Sequence, residues 1–286
     1  MPPDKKASLI ILTYNNLDYT RQCLDSIYAH TRHPDFEVIL VDNASQDETP
    51  EFLRKFAQKH ANVNLILNQT NQGFSRGNNQ GAEVAVGEVL VFLNNDIVVT
   101  EGWLSGLLSH LEDPQVGMVG PVTNASGNQS RITVDYETLE DMPAFAARYT
   151  AAHRDQAFEI SMLPFQCVAI PRAVFEEVGP LDERFGVGMF EDDDYALRVI
   201  RFCAPKMCSS TIGAAPALPE STSTPIGICS ERTCTNSRQS GIANGCLTSS
   251  DLNSSPNNCA RRSKPNFFSP RSSTIRKQNL TVCRTN

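Results

Sequence analysis

Val89-Leu90-Val91-Phe92-Leu93-Asn94-Asn95-Asp96 is a run of five apolar residues that stops abruptly at three hydrogen-bonding ones. Five consecutive apolar side chains leave no polar face. The run therefore predicts a strand covered on both sides, as in a parallel sheet between helices. Two upstream stretches have the same shape. Ser8 to Leu12 ends at Thr13-Tyr14-Asn15-Asn16, and Val38-Ile39-Leu40-Val41 ends at Asp42-Asn43-Ala44-Ser45-Gln46-Asp47. Leu17, Thr20, Leu24, Ile27 and Tyr28 fall at helical spacing between them. Thr49-Pro50 predicts an N-cap with proline at the first helical position, opening a helix with Phe52, Leu53, Phe56 and His60 on one face. Leu65-Ile66-Leu67 predicts a further strand. Phe74 to Val86 predicts a helix whose inner face is small: Gly77, Gly81, Ala82 and Ala85. Strands alternating with helices in this order imply an α/β fold with a mostly parallel sheet.

Downstream the pattern continues more loosely. Trp103 to Leu111 predicts a helix and Val116 to Val122 a strand, and Asn124 to Arg131 is a polar loop. Tyr136 to Arg154 predicts a helix and Phe165 to Ile170 a strand. Pro171 opens a helix that Gly179 closes. A last helix starts near Asp192, with Tyr195, Leu197 and Ile200 spaced along it. The signal then stops in mid-helix.

Composition changes at the same place. Residues 1–201 hold 15 Lys and Arg against 29 Asp and Glu, whereas residues 202–286 hold 10 against 3. Seven of the nine cysteines follow residue 201, and every histidine, tryptophan and tyrosine precedes it. The chain is thus divided into an α/β domain, 1–201, cut short at its C-terminal end, and an irregular Ser/Thr/Pro/Cys-rich tail, 202–286. The tail has no C-x-x-C pair and no histidine for a zinc module, and its cysteine count is odd for a closed disulfide framework. A shift of reading frame near codon 201, a native disordered tail and a Cys-rich module are the three readings. Under the first, translating the gene past codon 201 in another frame should restore the strand–helix pattern; no pattern in either frame rejects it.

For the whole chain, 40% apolar and 20% charged residues exclude a collagen, a coiled coil and a wholly disordered protein. A net charge of −7 argues against a nucleic-acid partner. There is no run of 18 apolar residues, and Met1 to Lys6 carries charge with no apolar h-region of a secretory signal before Ser8.

Ligands of open α/β sheets bind beyond the carboxyl ends of the strands, where the three polar stops fall. Taken singly, Thr13 to Asn16 and Asp42 to Asp47 suit turns as well as ligands. Asn71 to Gly81 is neither a dinucleotide fingerprint nor a P-loop. Gly73 nonetheless permits close approach of a ligand, and Arg76 can face a diphosphate. Asp96 and Asn94 offer hard oxygen donors for Mg²⁺ or Mn²⁺ completed by phosphate oxygens. Four acids in a row, Glu191 to Asp194, exceed what capping one helix requires, and one of them can act as a general base.

Together these segments resemble glycosyltransferase family 2 on the GT-A fold, over about residues 7–201. The resemblance rests on Thr13-Tyr14-Asn15, Asp42-Asn43-x-Ser45-x-Asp47, Asn71-x-Gly73-x-x-x-Gly77-x-Asn79-x-Gly81, Asn94-Asn95-Asp96 and Glu191-Asp192-x-Asp194-x-x-x-Arg198. Leu-Asn-Asn-Asp in place of Asp-x-Asp is similar to the rhamnosyltransferase-like branch. The resemblance implies a Rossmann-like mixed, mostly parallel sheet covered by helices. It also implies an inverting transfer from a nucleotide-diphosphate sugar to a hydroxyl of a cell-surface polysaccharide or lipid-linked glycan. Thr13, Tyr14 and Asn15 would line the nucleotide pocket, and Asp42 would meet the base. Asp47, Arg76 and Asn95 would help bind donor, and Asn94 and Asp96 would hold the metal. Asp192 would be the base, with Glu191 beside it. Gly179-Pro180-Leu181-Asp182-Glu183-x-Phe185 resembles the acceptor-side segment. The implied setting is the cytoplasm, in peripheral association with the inner face of the cell membrane. Two departures leave alternatives open. The family's histidine after the acidic motif has no counterpart beyond His153, which fits an inactive sugar-nucleotide-binding remnant. A nucleotidyltransferase shares such a sheet, but would carry a basic Gly-rich loop where Thr13 to Asn16 stands.

Overall fold

The computed structural model describes residues 6–154, 156–202 and 207–211, all within one compact unit. Strand and helix alternate through β1 (Ala7–Thr13), α1 (Leu17–His30), β2 (Phe36–Asp42), α2 (Thr49–Lys59), β3 (Val63–Leu67), α3 (Phe74–Val84) and β4 (Val89–Asn94). There follow α4 (Trp103–His110), β5 (Val116–Pro121), α5 (Met142–Ala152), β6 (Ala157–Glu159), β7 (Cys167–Pro171) and α6 (Arg172–Val178). A single 3₁₀ turn (Glu183–Phe185), α7 (Glu191–Phe202) and β8 (Met207–Thr211) complete the described residues.

Among those residues one mixed sheet of eight strands runs in the order β3-β2-β1-β4-β7-β5-β8-β6. The first four are parallel; β7 lies antiparallel between β4 and β5. β8 is parallel to β5 and antiparallel to β6.

Two registers decide where the site lies. Thr13 pairs with Asp42, and Leu12 pairs with Asn94, so the polar stops of β1, β2 and β4 share one edge. The antiparallel β7 pairs Cys167 with Leu93, which brings its N-terminal end to that same edge. β5, antiparallel to β7 in turn, delivers its C-terminal end and the following polar loop there too.

Alternation along the buried strands divides the core in two. Leu9, Ile11, Leu40, Val91 and Leu93 pack with Leu24 and Ile27 of α1, Leu53 and Phe56 of α2 and Leu104 and Leu107 of α4. Ile10, Ile39, Val41 and Phe92 pack with α3, with Val174 of α6 and with Tyr195, Ala196 and Val199 of α7. Each large side chain so buried contributes about 2 kcal/mol. The small inner face of α3 allows close contact, because a Cβ on Gly77 or Gly81 would lie 2.4 Å from Leu12 Cδ1 or Ile10 Cγ2.

Four elements depart from the sequence expectation, one being β6 (Ala157–Glu159), where no strand is expected. The helix expected from Tyr136 begins at Met142, with Pro143 fixing its first turn. Thr49 is the first residue of α2 rather than its cap, and the Asp47 carboxylate accepts from the Thr49 amide at 3.0 Å instead. Met207–Thr211, inside the segment expected to be irregular, is strand β8. Its pairing is made by backbone groups, which require no apolar alternation in the sequence. The rest of the tail, with its three readings, lies outside the described residues.

At the opposite edge of the sheet a buried carboxylate ties three segments. Glu37 accepts from Ser8 Oγ at 2.6 Å, from the Val86 amide at 2.8 Å and from Asn64 Nδ2 at 3.1 Å, and Ser8 Oγ accepts from the Gly87 amide at 2.8 Å. Glu37→Ala leaves several buried donors unanswered. It should destabilise the fold by about 3 kcal/mol, read as a lower urea midpoint, with Glu37→Gln losing clearly less. An unchanged midpoint for the alanine variant contradicts this account.

Candidate active site

The loops after β1 and β2 are laced into one wall. Thr13 Oγ1 donates to Asp42 at 3.2 Å, and Ser45 donates to the same carboxylate through its amide at 3.1 Å and its hydroxyl at 2.5 Å. Asn15 donates its amide to Ser45 Oγ, and its side-chain oxygen accepts from the Gln46 amide, both at 2.7 Å. Asn15 and Asn16 both sit at positive φ, a conformation that asparagine tolerates better than most residues. Asp47 accepts from the Leu17 amide at 3.3 Å as well as from Thr49. Burial acts to raise its pKa, but these donors outweigh it and hold the carboxyl below the usual range.

Asn43 extends the wall. Its Nδ2 donates to Asn71 Oδ1 at 2.8 Å and to the Gly73 carbonyl at 3.1 Å, while its oxygen accepts from Asn68 Nδ2 and the Gln72 amide. Gly73 has φ +82°, and a Cβ there would lie 2.0 Å from the Gly186 carbonyl oxygen. Glycine thus lets the turn before α3 touch the loop before α7.

Several expected binding residues are engaged by the protein itself. Thr13 is fully buried, and Asp42, only 2% exposed, already holds Thr13 and Ser45. Arg76 reaches Glu183 at 3.2 Å and Glu83 at 3.7 Å and lines neither of the two clefts described below. Asn95 Nδ2 donates to Thr20 Oγ1 of α1 at 2.8 Å. Tyr14, by contrast, is exposed. Asn79 of α3 bonds both backbone groups of Leu181 and the Glu183 carboxylate, so Arg76 and Asn79 together clamp the 181–183 segment to α3.

A shallow hollow of about 750 Å³ beside α1 is lined by Asn15, Asn16, Asp47 and Glu48. The second cleft, about 530 Å³, gathers polar groups from several elements. Asn94 from β4, Phe74 from α3, Ser126 and Asn128 from the loop after β5, Gln166 before β7, and Glu191, Asp192 and Asp193 from α7 all line it. Gln166 is fastened to its neighbours, its carbonyl accepting from the Asn94 amide and its side chain donating to Ala125, both at 2.9 Å. Asn128 donates to the Met162 carbonyl at 2.8 Å. The loop and Gln166 were missed as site residues. Their one signal was that a polar segment follows β5 as others follow β1, β2 and β4.

α7 begins at the acids. The chain enters it through Gly188, Met189 and Phe190, all at positive φ. Such a conformation is strained for the last two. Glu191 is 8% exposed, and its Oε2 has no hydrogen-bond partner among the described residues. Burial pushes its pKa up, and the Asp192 and Asp193 charges add to that; the Glu191 and Met189 amides offset part of it. Asp194 is bound to Arg198 at 2.8 Å, one turn on.

Asp96 lies two residues past Asn94. It is solvent-exposed over a dense floor, and desolvation by that floor raises its carboxyl above the usual range. Beneath it, Cys23 is fully buried; burial first and the Asp96 charge second push its thiol up. No three His, Cys, Asp or Glu side chains converge on a metal position among the described residues. Asp96 and Asn94 carry oxygen donors of the kind that a hard cation takes. No helix among those residues is long and apolar enough to cross a membrane.

Residues 8–179 match the model of the family described as Glycosyl transferase family 2. The O-antigen biosynthesis protein RfbC of Myxococcus xanthus is 32% identical over 64% of this chain, which spans 15% of that protein. Glycosyltransferase AglE of Haloferax volcanii is 32% identical over 40% of this chain, which spans 38% of it. The chain therefore covers less than half the length of either relative. Among solved structures, GalNAc-T7 with UDP, GalNAc and Mn²⁺ aligns with a TM-score of 0.59 at 14% identity, over 74% of this chain and 43% of its own. The Pyrobaculum calidifontis mannosyltransferase PcManGT with GDP-Man and Mn²⁺ aligns with a TM-score of 0.56 at 21% identity, over 78% and 60%. At these identities the two structures bear on the fold alone.

Burial of Glu191 has a pH consequence. A raised folded-state pKa favours the protonated form, so the stability it contributes is present below the unfolded value of about 4.3 and is lost as pH rises through the raised value. Glu191→Gln should therefore match the parent chain near pH 4 and exceed it in thermal midpoint at pH 7. A variant less stable at pH 7 than at pH 4, relative to the parent, contradicts the assignment.

Proposed function

The chain belongs to glycosyl transferase family 2, and from that membership we propose that it moves a sugar from a nucleoside-diphosphate sugar to a hydroxyl acceptor with inversion. The observation that carries the reading is the single cleft lined by both Asn94 and Asp192. A donor site and a base must share such a space for one displacement. Asp192 is half-buried at the first turn of α7, and its Oδ1 accepts from the Asp193 amide at 2.9 Å.

The reaction follows from these positions. Asp192 takes the proton of the acceptor hydroxyl, and that oxygen forms its bond to the anomeric carbon. The bond from that carbon to the diphosphate oxygen breaks, and the nucleoside diphosphate departs on the opposite face. Attack needs the oxygen within about 3–3.5 Å of the carbon and in line with the leaving group. Asp96 and Asn94 would hold Mg²⁺ or Mn²⁺, which supplies neutralisation of charge at the leaving diphosphate. The likeness to an O-antigen biosynthesis protein supports a cell-surface polysaccharide as acceptor; a lipid-linked glycan and peripheral attachment to the membrane are part of the same proposal. The absence of histidine after His153 favours a second reading, nucleotide-sugar binding without turnover.

Calorimetry with UDP, GDP and dTDP in the presence of Mn²⁺, paired with an assay of nucleoside diphosphate release, separates these. One nucleotide should bind in a metal-dependent way, and Asp96→Ala should abolish that dependence. Asp192→Asn should keep the affinity and lower turnover by about 10²-fold or more. Binding with no turnover in the parent chain selects the second reading. No binding by a folded sample rejects both.

A further inference from the structure

The cleft has a charge pattern that the transfer reaction itself does not require. Glu191, Asp192 and Asp193 line it side by side, and the other polar groups on its wall, such as Asn94, Asn128 and Gln166, are neutral. Among the described residues no Lys, Arg or His lines it. Three cations of the adjoining elements are engaged elsewhere. Arg198 of α7 holds Asp194 and the Val178 carbonyl, Arg76 of α3 holds Glu183 and Glu83, and Arg184 holds Asp182.

Glu191 adds an independent sign that the cleft awaits a ligand. It is more than nine-tenths buried with Oε2 unanswered, and a buried polar atom in that state is destabilising until a partner arrives. A hydroxyl group meets that need in either protonation state, because it both donates and accepts. A carboxylate brings only acceptors and a third or fourth like charge. Asp193 is the member of the trio left over. Asp192 is assigned to the base and Glu191 is the most buried, whereas Asp193 is half-buried at the cleft wall, where burial and then the Asp192 charge raise its carboxyl above the usual range.

We infer that this cleft takes an uncharged, hydroxyl-bearing glycosyl unit and rejects a carboxylated one, with Asp193 supplying much of the rejection. The inference rests on the donor-sugar reading above and names the class of sugar it admits. Rejection by like charge is a means of specificity that attraction alone does not supply. The diphosphate does not alter the pattern, since any cation at Asp96 is matched by the diphosphate's own charge.

The test uses the full chain with Mn²⁺ at pH 7.5 and sugars that differ by one group. UDP, UDP-glucose and UDP-glucuronate are titrated in parallel. If GDP or dTDP proves to be the nucleotide bound, the pairs are GDP-mannose with GDP-mannuronate, or dTDP-glucose with dTDP-glucuronate. The uronate should bind at least about tenfold more weakly than its neutral partner, the order expected of a like-charge contact in a part-solvated cleft. Asp193→Asn should narrow that gap several-fold, and a cooperative thermal transition shows that the variant is folded. Asp193→Ser, equally suited to a first helical turn, serves if the asparagine variant does not fold. Equal binding of uronate and neutral sugar overturns the inference, and an unchanged gap in a folded variant overturns the role of Asp193. If no nucleotide binds at all, the donor-site reading fails and takes this inference with it, a result distinct from equal binding.

Discussion

Register between buried strands is the constraint on which the rest of this structure depends. Thr13 lies opposite Asp42, and Leu12 lies opposite Asn94. A shift by one residue would turn every core side chain to the other face, so two hydrophobic layers hold this alignment at once. The polar stops of three strands are consequently fixed on one edge. Each stop is half a turn and half a wall, and the wall exists only because the stops are level.

The wall is stabilised from within. Asp42, Asn43, Asn15 and Asp47 each use their side chains to answer backbone or hydroxyl groups of a neighbouring segment. Those bonds make the edge rigid, and they remove from solvent several groups that the family pattern assigns to the nucleotide. Arg76 and Asn79 likewise fasten the 181–183 segment. The groups still available for chemistry are fewer and lie elsewhere: Tyr14, Asp96, Asn94 and the acids that open α7. In this GT-A fold one cleft gathers Asn94 and the acids of α7, and the loops around it hold its shape.

Much of the architecture was legible from residue type alone. Apolar runs such as Val89 to Leu93 lack a polar face, and helices such as Leu17 to Tyr28 repeat at 3.6. Boundaries were less legible where a single residue sets them, as Pro143 does for α5 or Asp47 for α2. β8 gave no signal, since its ladder is formed by backbone atoms common to all residues. The site was half legible. Glu191 to Asp194 and Asn94 to Asp96 were marked by charge at strand and helix ends. Gln166 and the Ser126–Asn128 loop were not marked, because only the reversed direction of β7 carries them to the same edge.

By itself the sequence determined the α/β alternation, the two-faced burial of the central strands and the chemical identity of the acids and amides near their ends. These follow from local patterns of side-chain polarity, which act whatever the chain's partners are. Only the tertiary structure decided which of those groups stay free. A carboxylate such as Asp42 becomes a loop brace when Ser45 and Thr13 fold onto it, while Glu191 is buried with an unanswered oxygen in a cleft that five separate segments build. Hydrogen-bond satisfaction and desolvation are properties of the assembled surroundings, so residue type and spacing cannot specify them in advance.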